Sequence, residues 1–184
     1  MPNIFFTADT HFHHANIIKY ANRPFANVQE MDETIITNWN SKVKRDDIVY
    51  HDGDFVFGPN KIRDAANLRR RLNGRIHLIW GNHDNQNPEF ASIFDSAQDY
   101  LEISVNKQRI ILMHYAMRIW NKSHHGTWML YGHSHGTLPD DPNLLSFDIG
   151  VDCHNFFPLS FDEVAAIMKK KTWKPIDHHG KHTT

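Results

Sequence analysis

The chain has a single cysteine, Cys153, in 184 residues. That excludes an internal disulfide and fits a reducing compartment. Neither sign of charge is in excess: 20 Lys and Arg face 21 Asp and Glu, for a formal net charge of -1. No overall field therefore recruits nucleic acid or an anionic membrane. No apolar run approaches the roughly 20 residues of a membrane span. The first residues carry no basic segment ahead of an apolar one, so a signal peptide is not expected. A cytoplasmic protein is the expectation. Repeats, low-complexity stretches and linkers are also missing, so one domain is expected over residues 1–175. The polar, His-rich end, residues 176–184, is expected to be disordered.

Histidine, by contrast, is plentiful, with 15 in all. It is a frequent metal ligand, but His178, His179 and His182 fall in the polar end, so placement decides more than number. Asn3 to Ala8, Asp47 to His51, Ile76 to Trp80, Gln108 to Met113 and Met129 to Tyr131 are short apolar runs that read as strands. Tyr100 to Val105 pairs with Gln108 to Met113 across Asn106-Lys107, a two-residue hairpin. Leu145 to Val151 reads as the last strand. Val28, Met31, Ile35, Trp39 and Val43 recur at three and four, which makes one buried helix face, with Asn27 and Glu30 as its capping box. A second helix is expected from Lys61 to Leu72, capped by Asn60 and stopped at Asn73-Gly74. A short one follows around Pro88 to Phe94. Ser160 and Glu163 cap the last, which buries Phe161, Val164, Ala165, Ile167 and Met168. Strands and helices alternate early and strands dominate late, a pattern that suggests an α/β layered sandwich.

Five polar clusters stand at strand ends. Asp9-Thr10-His11 follows the first strand, and in extended chain residues i and i+2 point the same way. Gly53-Asp54 follows the second. Gly81-Asn82-His83-Asp84 follows the third, its glycine allowing a sharp turn. His114 ends one late strand and Gly132-His133-Ser134-His135 another. Any one of these occurs by chance in many chains. All five together, each where open α/β sheets place their sites, read as one metal centre. Asp9, His11, Asp54, Asn82, His114, His133 and His135 offer carboxylate, imidazole and one amide without a thiolate, a mix that suits Mn²⁺, Fe²⁺ or Zn²⁺. Seven ligands exceed one tetrahedral ion and suit two ions with a shared carboxylate. Two ions about 3.5–4 Å apart can clamp the attacking and leaving oxygens of a phosphoryl displacement.

The order of the blocks, D-x-H, G-D, G-N-H-D, H and G-H-x-H, spans residues 9 to 135 and resembles the calcineurin-like metallophosphoesterases. The opening Thr-Ala-Asp-Thr-His-Phe and the Asn-Arg-Pro-Phe turn look like a small bacterial and phage branch of that family. The resemblance implies a four-layer α/β/β/α sandwich with a dinuclear site at one edge and a metal-bridging hydroxide as nucleophile. It implies one ion on Asp9, His11, Asp54 and His135 and the other on Asp54, Asn82, His114 and His133. Mn²⁺ is the first choice, with Fe²⁺, Zn²⁺ or Ni²⁺ as alternatives. His83 is then the imidazole that serves the substrate, helped by His13 or His14. Arg23 is either a phosphate clamp, through its two-pronged guanidinium, or a surface charge after a turn. The protein serine/threonine phosphatases of the superfamily carry a second Asp and an Arg in the second block. Phe57 replaces that Asp here and the Arg is absent. This favours a phosphodiesterase or a small-molecule phosphatase over a protein phosphatase. The expected function is a phosphodiesterase on a small nucleotide-like substrate, with a phosphomonoesterase or nuclease as alternatives and a non-catalytic interaction scaffold as a different class. Asp52 stands where an apolar residue is more usual.

Overall fold

The computed structural model describes residues 2–176; the expectation of a disordered end at 176–184 therefore falls, apart from Ile176, outside the described residues. The chain runs through β1 (Ile4–Thr7), α1 (Ile17–Tyr20), α2 (Val28–Lys42), β2 (Ile48–His51), α3 (Lys61–Arg71) and β3 (Arg75–Ile79). It continues through α4 (Pro88–Ala91), β4 (Ser96–Gln98), β5 (Leu101–Val105), β6 (Gln108–Leu112) and β7 (Trp128–Tyr131). It ends with β8 (Ser146–Asp148), β9 (Leu159–Ser160) and α5 (Phe161–Met168).

Two sheets result. The first has the order β4-β3-β2-β1-β9 and the second β5-β6-β7-β8. β1 to β4 are parallel, and β9 lies antiparallel to β1. In the second sheet only the β5–β6 hairpin is antiparallel. Its turn residues, Asn106 and Lys107, both have positive φ, 49° and 69°, which suits the right-handed twist of the paired strands.

Period 2 along β1 explains the layering. Phe5 joins one core, with Met31, Ile35 and Trp39 of α2, Leu68 of α3 and Ile76 and Leu78 of β3. Phe6 joins the other, with Ile79, Ile110, Leu112, Leu130 and, from α5, Val164 and Met168. Helices thus flank a pair of packed sheets, the α/β/β/α sandwich. In α2 the Asn27 side chain accepts from Glu30 N, and Glu30 returns one residue early, to Ala26 N. Ser160 and Glu163 form a full capping box, whereas Asn60 makes no side-chain cap.

Short elements escaped the sequence pattern. β4 is half-buried and carries no large apolar residue, so only its pairing with β3 makes it a strand. β9 is two residues long and exists through β1. The last strand stops at Asp148 instead of Val151, because the chain crosses there to the first sheet, where Gly150 bridges Ala8. Among the described residues no helix is long and apolar enough to cross a membrane.

Candidate metal centre

Every strand that ends at this edge delivers a polar loop. β1 leads to Asp9 and His11, β2 to Asp54, β3 to Asn82, β6 to His114 and β7 to His133 and His135. The structure brings all seven side chains together in two groups. Ligand atoms of Asp9, His11 and His135 lie within 4.8 Å of one another, and so do those of Asp54, His114 and His133. Asn82 belongs with the second: its Oδ1 lies 3.1 Å from His114 Nε2 and 2.9 Å from His133 Nδ1. Asp54 Oδ2 stands between the groups, 3.4 Å from His11 Nε2 and 3.5 Å from His114 Nε2.

Backbone packing holds this arrangement at a conformational cost. Asp9, His11, Asp54, His133 and His135 all have φ between 47° and 68°, a region that non-glycine residues occupy at about 1–3 kcal/mol each. Cross-loop hydrogen bonds compensate. Asp9 N donates to Gly53 O, His11 N to Asp54 O and Phe12 N to Phe55 O. A Cβ at Gly53 would overlap the backbone of Gly81, and one at Gly81 would overlap Asp54, so these two loops touch only because both positions lack side chains.

The donor set fits divalent cations. Asp9 Oδ1 and both ring nitrogens of His11 are buried with no hydrogen-bond partner in the protein. Buried polar atoms are rarely left so, because each unpaired one costs about 1–3 kcal/mol. Asp9 Oδ2 is spoken for by His133 N at 2.9 Å, which aims Oδ1 at the centre.

Protonation follows from burial and sharing. Burial pushes the Asp9 carboxyl up to about 7. Burial would also raise Asp54, but His114, His11 and the His83 N–H hold it below the usual carboxylate range. One Asp54 charge faces two imidazoles, and they divide unequally. Burial drives His11 down to about 2. It works the same way on His114, but Asp54 and Asp9 overcome it, and the Asp52 carbonyl at 2.7 Å takes the other ring nitrogen; the pKa rises to about 9. His135 is raised despite burial because Asp152 Oδ2 lies 2.7 Å from its Nδ1. Burial lowers His133.

A pH signature follows. The His114 pKa in the fold exceeds its ordinary 6.5. Its stabilising charge is therefore fully present below 6.5 and is lost as pH rises through about 9. A cation needs the neutral ring. Calorimetry in buffers of different protonation enthalpy should show about one or more protons released per chain on metal uptake at about pH 7.5, fading by about pH 10. No release at the lower pH would contradict this account of His114.

The other site residues divide. The His83 ring is half-buried, 5.4 Å from that of His11, and His83 N donates to Asp54 Oδ1 at 2.8 Å. His14 is buried, stacked on Phe57 at 3.9 Å and edge-on to His11 and His83. His13 turns away: at φ 66° its ring nitrogens face Asp32 at 3.6 Å and Asp64 at 3.7 Å. That placement corrects the reading of His13 as a residue that helps His83 serve the substrate.

Arg23 is corrected too. It is neither a phosphate clamp nor a surface charge. Its side chain is 0% exposed. Nε and Nη2 grip the two oxygens of Asp152, each at 2.8 Å, while Nη2 and Nη1 donate to the backbone oxygens of Asp9 and Thr10. The guanidinium ties the Asp9–His11 loop to the carboxylate that orients His135.

Asp152 itself had no sequence motif; its only signal was its place just past the β8 end. Asp84 lay inside a motif with no assigned role. Its carboxylate accepts from the backbone N–H of Asp54, Phe55 and Gly81 at 2.9–3.0 Å. Asp84→Asn replaces one acceptor by a donor facing these N–H groups. We expect a loss of about 1–3 kcal/mol in urea unfolding; an unchanged midpoint would show the contacts to be dispensable.

The family model for the calcineurin-like phosphoesterase superfamily domain matches residues 3–143. An uncharacterized protein of Methanocaldococcus jannaschii is 37% identical over 175 residues, which cover 92% of this chain and 93% of that protein. The gene 66 protein of Mycobacterium phage D29 is 24% identical over 197 residues, covering 91% and 96%. Among solved structures, a protein of unknown function from Aquifex aeolicus superposes with a TM-score of 0.71 at 24% identity, over 91% of this chain and 100% of that one. That last likeness concerns the fold alone.

Proposed function

The chain belongs to the calcineurin-like phosphoesterase superfamily and is a hydrolase of phosphoester bonds, and on that premise we propose that it cleaves a phosphodiester in a small nucleotide-like substrate with two divalent ions, Mn²⁺ first among them. The observation that carries the two-ion reading is Asp54 Oδ2, almost equidistant from one imidazole of each group. Asp9, His11 and His135 would hold one ion, and Asn82, His114 and His133 the other, with Asp54 shared. Ions bound there would lower the pKa of a water and neutralise the phosphoryl oxygens.

The protein's own contribution is orientation and proton delivery. Asp152 bonds His135 Nδ1, and such a partner fixes the tautomer that leaves Nε2 free for a cation. The Asp52 carbonyl does the same for His114. His83 belongs to neither ligand group, and its backbone N–H is pinned to Asp54. Its ring is free to protonate the leaving oxygen. Phe57, standing where the serine/threonine phosphatases carry a carboxylate, puts a hydrocarbon ring 5.7 Å from His83. This supports the diesterase reading over a protein phosphatase. The lone free Cys153 supports a cytoplasmic setting.

The test pairs a panel with a variant. Cyclic nucleotides, dinucleotides and nitrophenyl esters are offered with Mn²⁺, with phosphomonoesters alongside. A preference for monoesters would overturn the diesterase reading. His83→Ala should keep its metal content and lose about 10²-fold in rate on an alkoxide or ribose leaving group. It should lose much less on nitrophenolate, which leaves without a proton. Equal losses on both would mean that His83 stabilises phosphate charge and delivers no proton.

A further inference from the structure

Two exposed tyrosines lie near the metal centre, Tyr20 beside His14 and Tyr115 beside His114 and His133. Tyr20, at the end of the one-turn helix α1, is 75% exposed, the highest value among the exposed large apolar side chains of the described residues. Its ring meets that of His14 at 6.2 Å and 89°, so the two do not stack and Tyr20 keeps an open face. His14 in turn stands 5.6 Å from His11 of the first group. On the other side Tyr115 is 42% exposed and packs against both imidazoles of the second group, 5.1 Å from His114 and 4.7 Å from His133. Tyr115 directly follows a ligand, and its ring lines a small cavity of about 90 Å³ with Trp80, Asn82, Gln86, Asp99 and Met113. Pairwise contacts thus connect the two tyrosines through the centre, in the order Tyr20–His14–His11–Asp54–His114–Tyr115.

A solvent-exposed ring gains by covering a planar partner. Base–ring stacking is tolerant of base identity, since every base has a π-face. A diester bound at the centre has two ester arms, one for each tyrosine that this chain of contacts reaches. From the diesterase reading, on which this rests, we propose that Tyr20 and Tyr115 are base platforms and that the substrate is a phosphodiester with a nucleobase on each side, a dinucleotide or a short single strand. A cyclic mononucleotide, with one base, would use one platform only. The formal charge near zero fits a short substrate held by stacking at two points over a long backbone held by charge.

The experiment uses dinucleoside monophosphates carrying the fluorescent base 2-aminopurine on the 5′ or the 3′ side. With the ion-free protein, stacking should quench both labels. Tyr20→Ala should abolish quenching of one label and Tyr115→Ala that of the other, while Tyr→Phe at either position should behave as wild type. With Mn²⁺, each alanine variant should raise KM for the dinucleotide by roughly 5- to 150-fold and shift that for glycerophosphocholine, a diester with no planar group, far less. Unquenched labels in the wild type, or an unaltered KM in both alanine variants, would overturn the proposal. Hydrolysis of methyl nitrophenyl phosphate with no hydrolysis of dinucleotides would overturn it and leave the diesterase reading standing. No hydrolysis of any diester would remove both.

Discussion

Asp54→Asn should strip both ions from the protein and lower turnover by about 10⁴-fold or more. The size follows from what is lost: an ionised water at neutral pH and the charge that balances the phosphoryl oxygens, each worth several orders of magnitude. The pairing of the two losses follows from geometry, since one oxygen faces His11 on one side and His114 on the other. An asparagine oxygen can still accept from His83 N, so the loop should stay in place; with a chelator present at neutral pH the fold should melt below the wild-type temperature, because His114 loses the carboxylate that favours its charged ring. His135→Ala serves as the contrast. It removes a ligand from one group only and should mainly disturb one ion. An Asp54→Asn protein that keeps one ion at wild-type affinity would show that the carboxylate is not shared.

The largest effect on stability is expected at Arg23. Arg23→Met should destabilise the protein by about 3–5 kcal/mol, because it leaves Asp152 buried without its cation. For a chain of this length that is a fall in melting temperature of roughly 6–20 °C. The methionine also abandons the backbone oxygens of Asp9 and Thr10, so affinity for the ion on Asp9, His11 and His135 should fall as well. A phosphate clamp would behave differently, with a raised KM and an unchanged melting temperature. That outcome would restore the role the sequence suggested.

The difference between those two roles shows where sequence reasoning stops. The five polar clusters were legible because each sits directly after an apolar run, and chain order alone puts the ends of parallel strands at one edge. The helical face of Met31, Ile35 and Trp39 and the Asn106-Lys107 turn were legible for the same reason: period and turn chemistry are local. Arg23 and Asp152 lie 129 positions apart, and nothing local announces that they meet. His13 was misjudged because one left-handed residue turns its ring to Asp32 and Asp64. β4 and β9 were missed because pairing with a neighbour, not composition, makes them strands. Asp52 was noticed for its odd side chain, yet its backbone carbonyl is what serves His114; nothing in the structure explains the buried carboxyl.

The central claim is that two cations share Asp54, and Mn²⁺ resonance reads that sharing directly. Ion-free protein is titrated with Mn²⁺ and followed by electron paramagnetic resonance, with the metal content of each sample measured alongside. Two ions joined by a carboxylate about 3.5–4 Å apart are magnetically coupled. The spectrum at two equivalents per chain should therefore be a coupled multiline signal with narrowed hyperfine spacing, and Asp54→Asn should not produce it. Saturation at one ion per chain, or two ions that keep the six-line spectrum of isolated Mn²⁺, would contradict the account.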